Sequence, residues 1–306
     1  MRNRLQRRYA RYWQLYVFLL IPVVYILIFS YYPMLGLQIA FKKFNFKGGI
    51  WGSPWVGLYQ FRKFLNAYQF KLVLKNTLVL SAYSILAAFP FPILFALTLN
   101  VIQAKKFKKF AQTVTYIPHF ISVVVLVGML MQIFHPLTGV YGALARALTG
   151  STPADLLANP STFPHMYVWS GVWQGFGYNS IIYLAALSGV SAELHEAAEI
   201  DGASRLQRVI HIDFPAILPT VTIMLIMRMG SVMSLGFQKI YLMQNTLNLS
   251  TSEVISTFVY KKGLASGAGN DYSYSTAIGM FNSVINLLLL VCVNGVSRKL
   301  SENSLW

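Results

Sequence analysis

The sequence predicts an all-α, polytopic membrane protein with six transmembrane helices. Of its 306 residues, 56% are hydrophobic and 11% are charged, whereas a soluble domain has about 25% charged residues. Several apolar segments are also long enough to cross a bilayer, because a helix needs about 20 residues to span the hydrocarbon core. The six predicted spans are 13–34, 72–100, 112–134, 164–190, 215–236 and 275–297.

The N-terminal segment has the layout of a secretory signal peptide, since five arginines precede an apolar run. The run ends at Tyr31-Tyr32-Pro33 without the small-residue pattern of a cleavage site. We therefore predict an uncleaved first helix with a cytoplasmic N-terminus, and six spans then place both termini in the cytoplasm. The chain divides into an N-terminal transmembrane helix with its outer loop, residues 1–70, and a five-helix core, residues 71–306.

The net charge of +16 arises from 25 basic and 9 acidic residues. In a soluble protein this excess would indicate nucleic acid, but membrane proteins collect Lys and Arg on their cytoplasmic loops, so no nucleic-acid partner is expected. A group of basic residues falls instead on the predicted outer side, between the first two spans. It either contacts lipid headgroups or forms a basic surface for anionic sugars or an acidic partner, and both readings stay open. The group is Lys42, Lys43, Lys47, Arg62, Lys63, Lys71 and Lys75.

The second predicted span contains Pro90 and Pro92. Proline removes a backbone donor and bends a helix, and membranes tolerate such breaks where neighbouring helices or a cavity satisfy the freed backbone groups. This span is therefore either part of a substrate pathway or a helix with a simple kink.

Polar and aromatic residues within the spans are candidates for a substrate pathway. A charge at mid-membrane costs about 2.5–3.5 kcal/mol on insertion scales and usually faces a cavity or a partner. Arg228 either lines the pathway or pairs across a subunit interface, or else it lies nearer a helix end and reaches the membrane interface. The amides could equally join neighbouring helices. The pathway candidates are Gln132, Trp169, Trp173, Gln174, Asn179, Arg228 and Asn282.

The sequence contains no motif for nucleotide binding, metal binding or an internal disulfide. There is no glycine-rich phosphate loop ending in Gly-Lys-Ser/Thr, the five histidines lack metal-ligand spacing, and the lone Cys292 cannot form a disulfide within the chain. A secondary transporter or channel working without ATPases would need acidic or histidine relay residues in its spans, and a membrane-embedded enzyme would need a catalytic constellation. We expect no catalytic residue, no metal site and no cofactor in this chain.

Residues 193–219 form a polar stretch that holds five of the nine acidic residues, between the fourth and fifth predicted spans. Leu194, Ala197 and Ala198 share one helical face. Gly202 permits the left-handed conformation that ends a helix, and Ser204 with Gln207 forms a capping box that begins another. Phe214-Pro215 either ends this second helix or begins the next span.

The order of residues in this stretch resembles the EAA motif of permease subunits of ATP-binding-cassette importers. The matching residues are Glu196-Ala197-Ala198, Asp201-Gly202-Ala203 and, after the same spacing, Phe214-Pro215, with Phe214 where leucine is common. Residues 182–187 and Arg228-Met229-Gly230 resemble the carbohydrate-uptake branch, in particular polysaccharide and alginate-type permeases.

The resemblance implies the fold of a type I ABC importer permease, with a cytoplasmic coupling helix inside loop 191–215. It also implies that the permease imports oligosaccharides through the bacterial cytoplasmic membrane, and the basic outer loop and Arg228 favour an acidic, alginate-like sugar. The implied ATPase-coupling residues are Glu196, Ala197, Ala198, Asp201, Gly202 and Ala203. The implied partners are a second, non-identical permease subunit, two ATPase subunits that hold Mg-ATP, and an extracytoplasmic solute-binding protein.

Overall fold

A computed structural model describes residues 12–300. Their secondary structure is helical apart from one isolated bridge between Lys42 and Trp55. The α-helices are α1 Trp13–Ile26, α2 Tyr32–Met34, α3 Gly49–Gly52, α4 Tyr59–Leu65, α5 Tyr68–Ala88, α6 Pro90–Val101, α7 Lys105–Tyr116, α8 Val123–Ile133, α9 Val140–Thr149, α10 Phe163–Asn179, α11 Ile181–Leu187, α12 Ala192–Ile200, α13 Arg205–Arg208, α14 Phe214–Met229, α15 Phe237–Met243, α16 Leu249–Ser252, α17 Ile255–Gly263 and α18 Tyr272–Leu300. Short π-helical turns lie at Leu27–Tyr31 and Val209–Asp213, and 3-10 turns at Leu35–Phe41, Ile117–Phe120 and Gly267–Gly269.

Within these residues, four helical segments are long and apolar enough to cross a membrane. They are Trp13–Phe41, Tyr68–Val101, Arg205–Met229 and Tyr272–Lys299, and they correspond to the first, second, fifth and sixth predicted spans. The all-helical membrane fold is thereby confirmed, whereas the count of six spans stays a prediction. The five N-terminal arginines lie outside the described residues.

The third and fourth predicted spans are each divided. Lys105–Phe120 and Val123–Ile133 are long and apolar enough to cross a membrane only when they are taken together, and the two helices are bent by 98° relative to each other. Ser122 begins the second of them, because its hydroxyl accepts a hydrogen bond from the backbone N–H of Val125 at 3.3 Å. The fourth consists of α10 and α11, which meet at Ser180, whose hydroxyl donates to the carbonyl of Gly177 at 2.5 Å. Serine hydroxyls that bond to nearby backbone carbonyls commonly bend helices.

The two prolines of the second span interrupt it as the sequence predicts. Helix α5 ends at Ala88 and α6 begins at Pro90, yet both belong to one apolar segment. Proline is tolerated in the first turn of a helix because its missing N–H would lack an intrahelical partner there.

The chain divides into two compact units, and each has its own interior. Among the described residues, the first contains 12–66 together with Lys261–Met280, and the second contains Ala67–Tyr260 together with 281–300. One buried cluster of the second unit joins α6, α11 and α14. It consists of Ile93, Ala96, Leu97, Tyr183, Leu187 and Ile217. This cluster holds the helices that enter and leave loop 191–215.

One lysine of the first unit is buried and hydrogen-bonded within that unit. Lys42 is 2% exposed, and its ammonium donates to Gln38 Oε1 and to the carbonyl of Ile50, both at 2.8 Å. It also lies 4.8 Å from the ring centroid of Trp55, so a cation–π contact adds to the hydrogen bonds. Lys42 therefore belongs to the interior and is no part of a basic outer surface.

A second buried lysine lies in α15. Lys239 is 8% exposed, and its ammonium donates to the carbonyl of Tyr167 at 3.0 Å. Burial lowers the pKa of Lys239 from 10.5 to about 8, because leaving water disfavours the charged form.

Candidate functional site

Loop 191–215 has the local structure that its sequence predicts. Helix α12 ends at Ile200, with Asp201 as its C-cap residue, and Gly202 follows with a φ of +78°, in the left-handed region. The Ser204 hydroxyl accepts from the backbone N–H of Gln207 at 3.3 Å, and the Gln207 side chain accepts from the backbone N–H of Ser204 at 2.7 Å. The predicted capping box is thereby confirmed, and it begins α13.

The helical segment that begins at Arg205 does not end at Phe214-Pro215. A π-helical turn over Val209–Asp213 joins α13 to α14, so that Arg205–Met229 forms one helical segment. Of the two outcomes that the sequence left open, the proline begins the next span. In this turn the backbone N–H of Phe214 donates to the carbonyl of Val209, five residues earlier, which is the bonding pattern of a π-helical turn.

The tip of this loop exposes apolar side chains. Leu194 is 55% exposed, Ile200 is 86% exposed and Leu206 is 68% exposed. Among the residues that the resemblance assigns to ATPase coupling, Glu196, Ala197, Asp201 and Gly202 are exposed, and Ala198 and Ala203 are half-buried. An exposed apolar patch with a polar rim is typical of a protein interaction surface.

A buried carboxylate ties this loop to two membrane-length helices. Asp213 is 1% exposed, and its Oδ1 lies 3.2 Å from Nε2 of His195, on α12. The same oxygen accepts from Asn100 Nδ2, at the end of α6, at 3.1 Å. An ion pair of 2.9 Å between Arg208 and Glu199 also joins α13 to α12. We call Asn100, His195 and Asp213 the carboxylate joint.

Sequence reasoning did not find the carboxylate joint. Asn100 precedes Asp213 by 113 positions, and no local spacing connects two such distant residues. The one signal in the sequence is Asp213 itself, an acid directly before an apolar span, where burial requires partners.

Arg228 lies in the last turn of α14, nearer a helix end than the predicted span places it. It lines two cavities together with Asn179. One is about 100 Å³ and includes Ser84 and Tyr183, and the other is about 550 Å³ and includes Gln174. Within residues 12–300 the guanidinium has no hydrogen bond or ion pair, and Ser84 Oγ is buried without a hydrogen-bond partner.

The other predicted pathway residues do not line these two cavities. Trp169 donates from Nε1 to Tyr83 Oη at 2.9 Å. Trp173 is 45% exposed, Gln132 is exposed, and Asn282 Oδ1 is buried without a partner. Thus three of the seven candidates, Arg228, Asn179 and Gln174, meet at one place, and Gln174 also donates to the carbonyl of Ile121 at 2.9 Å.

Comparisons with known proteins agree with this architecture. The family described as binding-protein-dependent transport system inner membrane component matches residues 88–302. The chain is 38% identical over 305 residues to the polygalacturonan/rhamnogalacturonan transport system permease protein YteP of Bacillus subtilis (strain 168), covering 100% of this chain and 94% of YteP.

Two solved structures have the same fold. One is the crystal structure of a bacterial ABC transporter involved in the import of the acidic polysaccharide alginate, with a TM-score of 0.89 and 37% identity over 97% of this chain and 99% of that chain. The other is a bacterial alginate ABC transporter in complex with alginate pentasaccharide-bound periplasmic protein, with a TM-score of 0.89 and 36% identity over 99% of this chain and 100% of that chain.

The family match covers more than half of the chain, and the relatives named as permeases are transport components rather than enzymes. The resemblance stated from the EAA motif is thereby confirmed. This chain belongs to the family of binding-protein-dependent transport system inner membrane components, and it is a multi-pass permease with the type I ABC permease fold.

Proposed function

We propose that this chain is the permease subunit of an ABC importer that takes up acidic oligosaccharides. The observation that carries the proposal is the helical segment Arg205–Met229. Its first residues belong to the loop with the exposed apolar tip, and its last turn brings Arg228 into two cavities. One continuous helical segment therefore connects the exposed apolar tip with the cationic side chain of Arg228.

The docking partner in this proposal is an ATPase subunit in the cytoplasm. A short helix with small and apolar exposed residues fits a groove in another protein, and among residues 12–300 the side chains of Ile200 and Leu206 are 86% and 68% exposed. ATP-driven closure of two ATPase subunits would move α12, and the carboxylate joint would pass that movement to α6 and α14. Such a rigid-body switch would alternate access to the cavities. Mg-ATP would be held by the partner subunits.

The proposed topology has six spans, with both termini in the cytoplasm. The bent pair around Ser122 would form the third span, and α10 with α11 the fourth. A second, non-identical permease subunit would complete the pathway, and an extracytoplasmic solute-binding protein would deliver the sugar. The alginate transporter crystallised with its sugar-bound periplasmic protein supports the delivery of sugar by a solute-binding protein.

The acidic character of the sugar rests on Arg228. An arginine without an ion-pair partner beside a cavity suits a carboxylate, which its guanidinium binds with two parallel hydrogen bonds. The names of YteP and of the alginate transporters also refer to polysaccharides that contain uronic acids.

The complete complex reconstituted in proteoliposomes tests this function. Oligomers of galacturonate and mannuronate should stimulate ATP hydrolysis and enter the vesicles, whereas neutral malto-oligosaccharides of equal length should do neither. Equal stimulation by the neutral sugars would contradict the acidic substrate. Uptake that continues without ATP would favour a secondary transporter or channel.

Replacing Asp213 should uncouple the importer. Asp213→Ala leaves the donors of His195 and Asn100 without their acceptor, and an unsatisfied buried group costs about 1–3 kcal/mol. We expect a lower melting temperature in detergent and a loss of sugar-stimulated ATP hydrolysis. Asp213→Asn keeps an oxygen at Oδ1 and should retain most of both properties. An Asp213→Ala complex with unchanged stimulation would show that the joint transmits no movement.

A further inference from the structure

The first unit contains a hollow of about 630 Å³ that the pathway residues do not touch. Three parts of the chain line it: the segment after the 3-10 turn at Leu35–Phe41, helix α4, and the turn that leads into α18. A small-molecule site is typically a cleft of about 300–1,000 Å³ with a mostly apolar wall and a few directed polar groups. The hollow has this size, and its lining has both components.

The apolar wall is aromatic. Phe44, Phe46 and Tyr272 contact one another edge to face, with ring centroids 5.5–5.7 Å apart. Phe46 is 80% exposed, and Tyr59, on another side of the hollow, is 60% exposed. Ligand pockets are lined predominantly by apolar and aromatic side chains. Here they offer flat faces to a ligand, and the C–H face of a pyranose ring is a flat apolar surface of matching size.

The directed polar group is Gln60. This residue is 4% exposed, and its Oε1 is buried without a hydrogen-bond partner. Buried polar atoms are nearly always bonded, so an unbonded one indicates a missing partner. A sugar hydroxyl can donate to the amide oxygen or accept from the amide nitrogen, whichever way the amide is turned. Because Oε1 has almost no exposed surface, the Gln60 side chain must turn toward the hollow that it lines in order to bond a sugar hydroxyl.

The charges around the hollow favour an anion. The charge of Lys63 is compensated by Asp271, because the Lys63 ammonium donates a hydrogen bond to Oδ2 of Asp271 at 2.8 Å. The other carboxylate oxygen of Asp271 accepts from the backbone N–H of Tyr274 at 2.9 Å. Lys43 is exposed, and its ammonium has no bond to another described residue. One lysine therefore carries an uncompensated positive charge at this site.

We propose that this hollow binds one sugar unit of an acidic oligosaccharide. The aromatic wall would stack on the ring, Gln60 would bond a hydroxyl, and Lys43 would pair with the carboxylate. The inference rests on the proposed function for the nature of the sugar. It adds a binding subsite whose residues are separate from those of the Arg228 cavities.

Calorimetric titration of the purified permease–ATPase complex, without the solute-binding protein, tests the subsite. The probes are the galacturonic acid trisaccharide and maltotriose. We expect the acidic trisaccharide to bind, and Lys43→Met and Gln60→Leu each to weaken it about tenfold, the equivalent of 1.4 kcal/mol. Lys47→Met is the matched control, because Lys47 is exposed but does not line the hollow, and it should leave the affinity unchanged.

Several results would overturn the subsite. One is an affinity for the acidic trisaccharide that Lys43→Met and Gln60→Leu leave unchanged, and another is a loss of affinity in Lys47→Met as large as in Lys43→Met. The others are equal binding of maltotriose and the acidic trisaccharide, and weaker capture of the solute-binding protein with an unchanged affinity for the sugar. Lys43→Met alters only an exposed side chain, so the test survives if Gln60→Leu fails to fold. If one of these results is found while acidic sugars still stimulate ATP hydrolysis in the variants, the subsite is contradicted but the proposed function is not.

Discussion

Gly202→Val should abolish sugar-stimulated ATP hydrolysis and the co-purification of the ATPase subunits, while the protein still enters the membrane. Gly202 has a φ of +78°, and a β-branched residue is strained in that region. The left-handed conformation costs about 1–2 kcal/mol for a residue with a Cβ. Valine would therefore change the angle between α12 and α13, which together present the exposed tip.

The chain provides a matched control for this variant. Gly150, at the end of α9, has a φ of +69°, and a Cβ at either glycine would meet no atom within 4 Å. Gly150→Val should therefore carry the same backbone strain and leave ATP hydrolysis unchanged. Gly202→Asn, which tolerates the left-handed region, should retain most of the activity. If Gly202→Val keeps its ATPase partners and its stimulation, the docking role of the loop is wrong.

Arg228→Met should reduce uptake of an acidic oligosaccharide far more than uptake of a neutral one. A hydrogen bond to a charged group contributes about 1.5–3 kcal/mol, and about 1.4 kcal/mol corresponds to a factor of ten. We therefore expect uptake of oligouronate at low concentration to fall about tenfold to a hundredfold. Initial rates of uptake into proteoliposomes measure this effect.

Arg228→Lys serves as the control for charge, since it keeps the cation but loses the planar pair of donors. It should show an intermediate loss for the acidic sugar. The Arg228→Met complex must also keep its basal ATP hydrolysis, which separates a pathway defect from misfolding. An equal loss for acidic and neutral sugars would instead indicate a purely structural role for Arg228.

The details of loop 191–215 could be predicted because they depend on local interactions. The capping box joins Ser204 to Gln207, only three residues apart. Gly202 adopts the left-handed conformation that ends α12. Apolar length likewise indicates membrane helices, and it located four segments that the structure confirms. The EAA motif adds the family, since its residue types occur in order along one short segment.

Contacts between distant parts of the chain were decided only by the tertiary structure. Hydropathy counts apolar residues but carries no information about direction, so it missed the 98° bend near Ser122 and the break at Ser180. Asp213 became part of a joint because folding brings Asn100 and His195 to one of its oxygens. The sequence by itself determined which segments enter the membrane and where the loop between them turns, since burial of apolar surface and side-chain-to-backbone bonds act locally. Packing decided which polar groups meet, because a buried charge or amide is stabilised only by the partners that the fold brings to it.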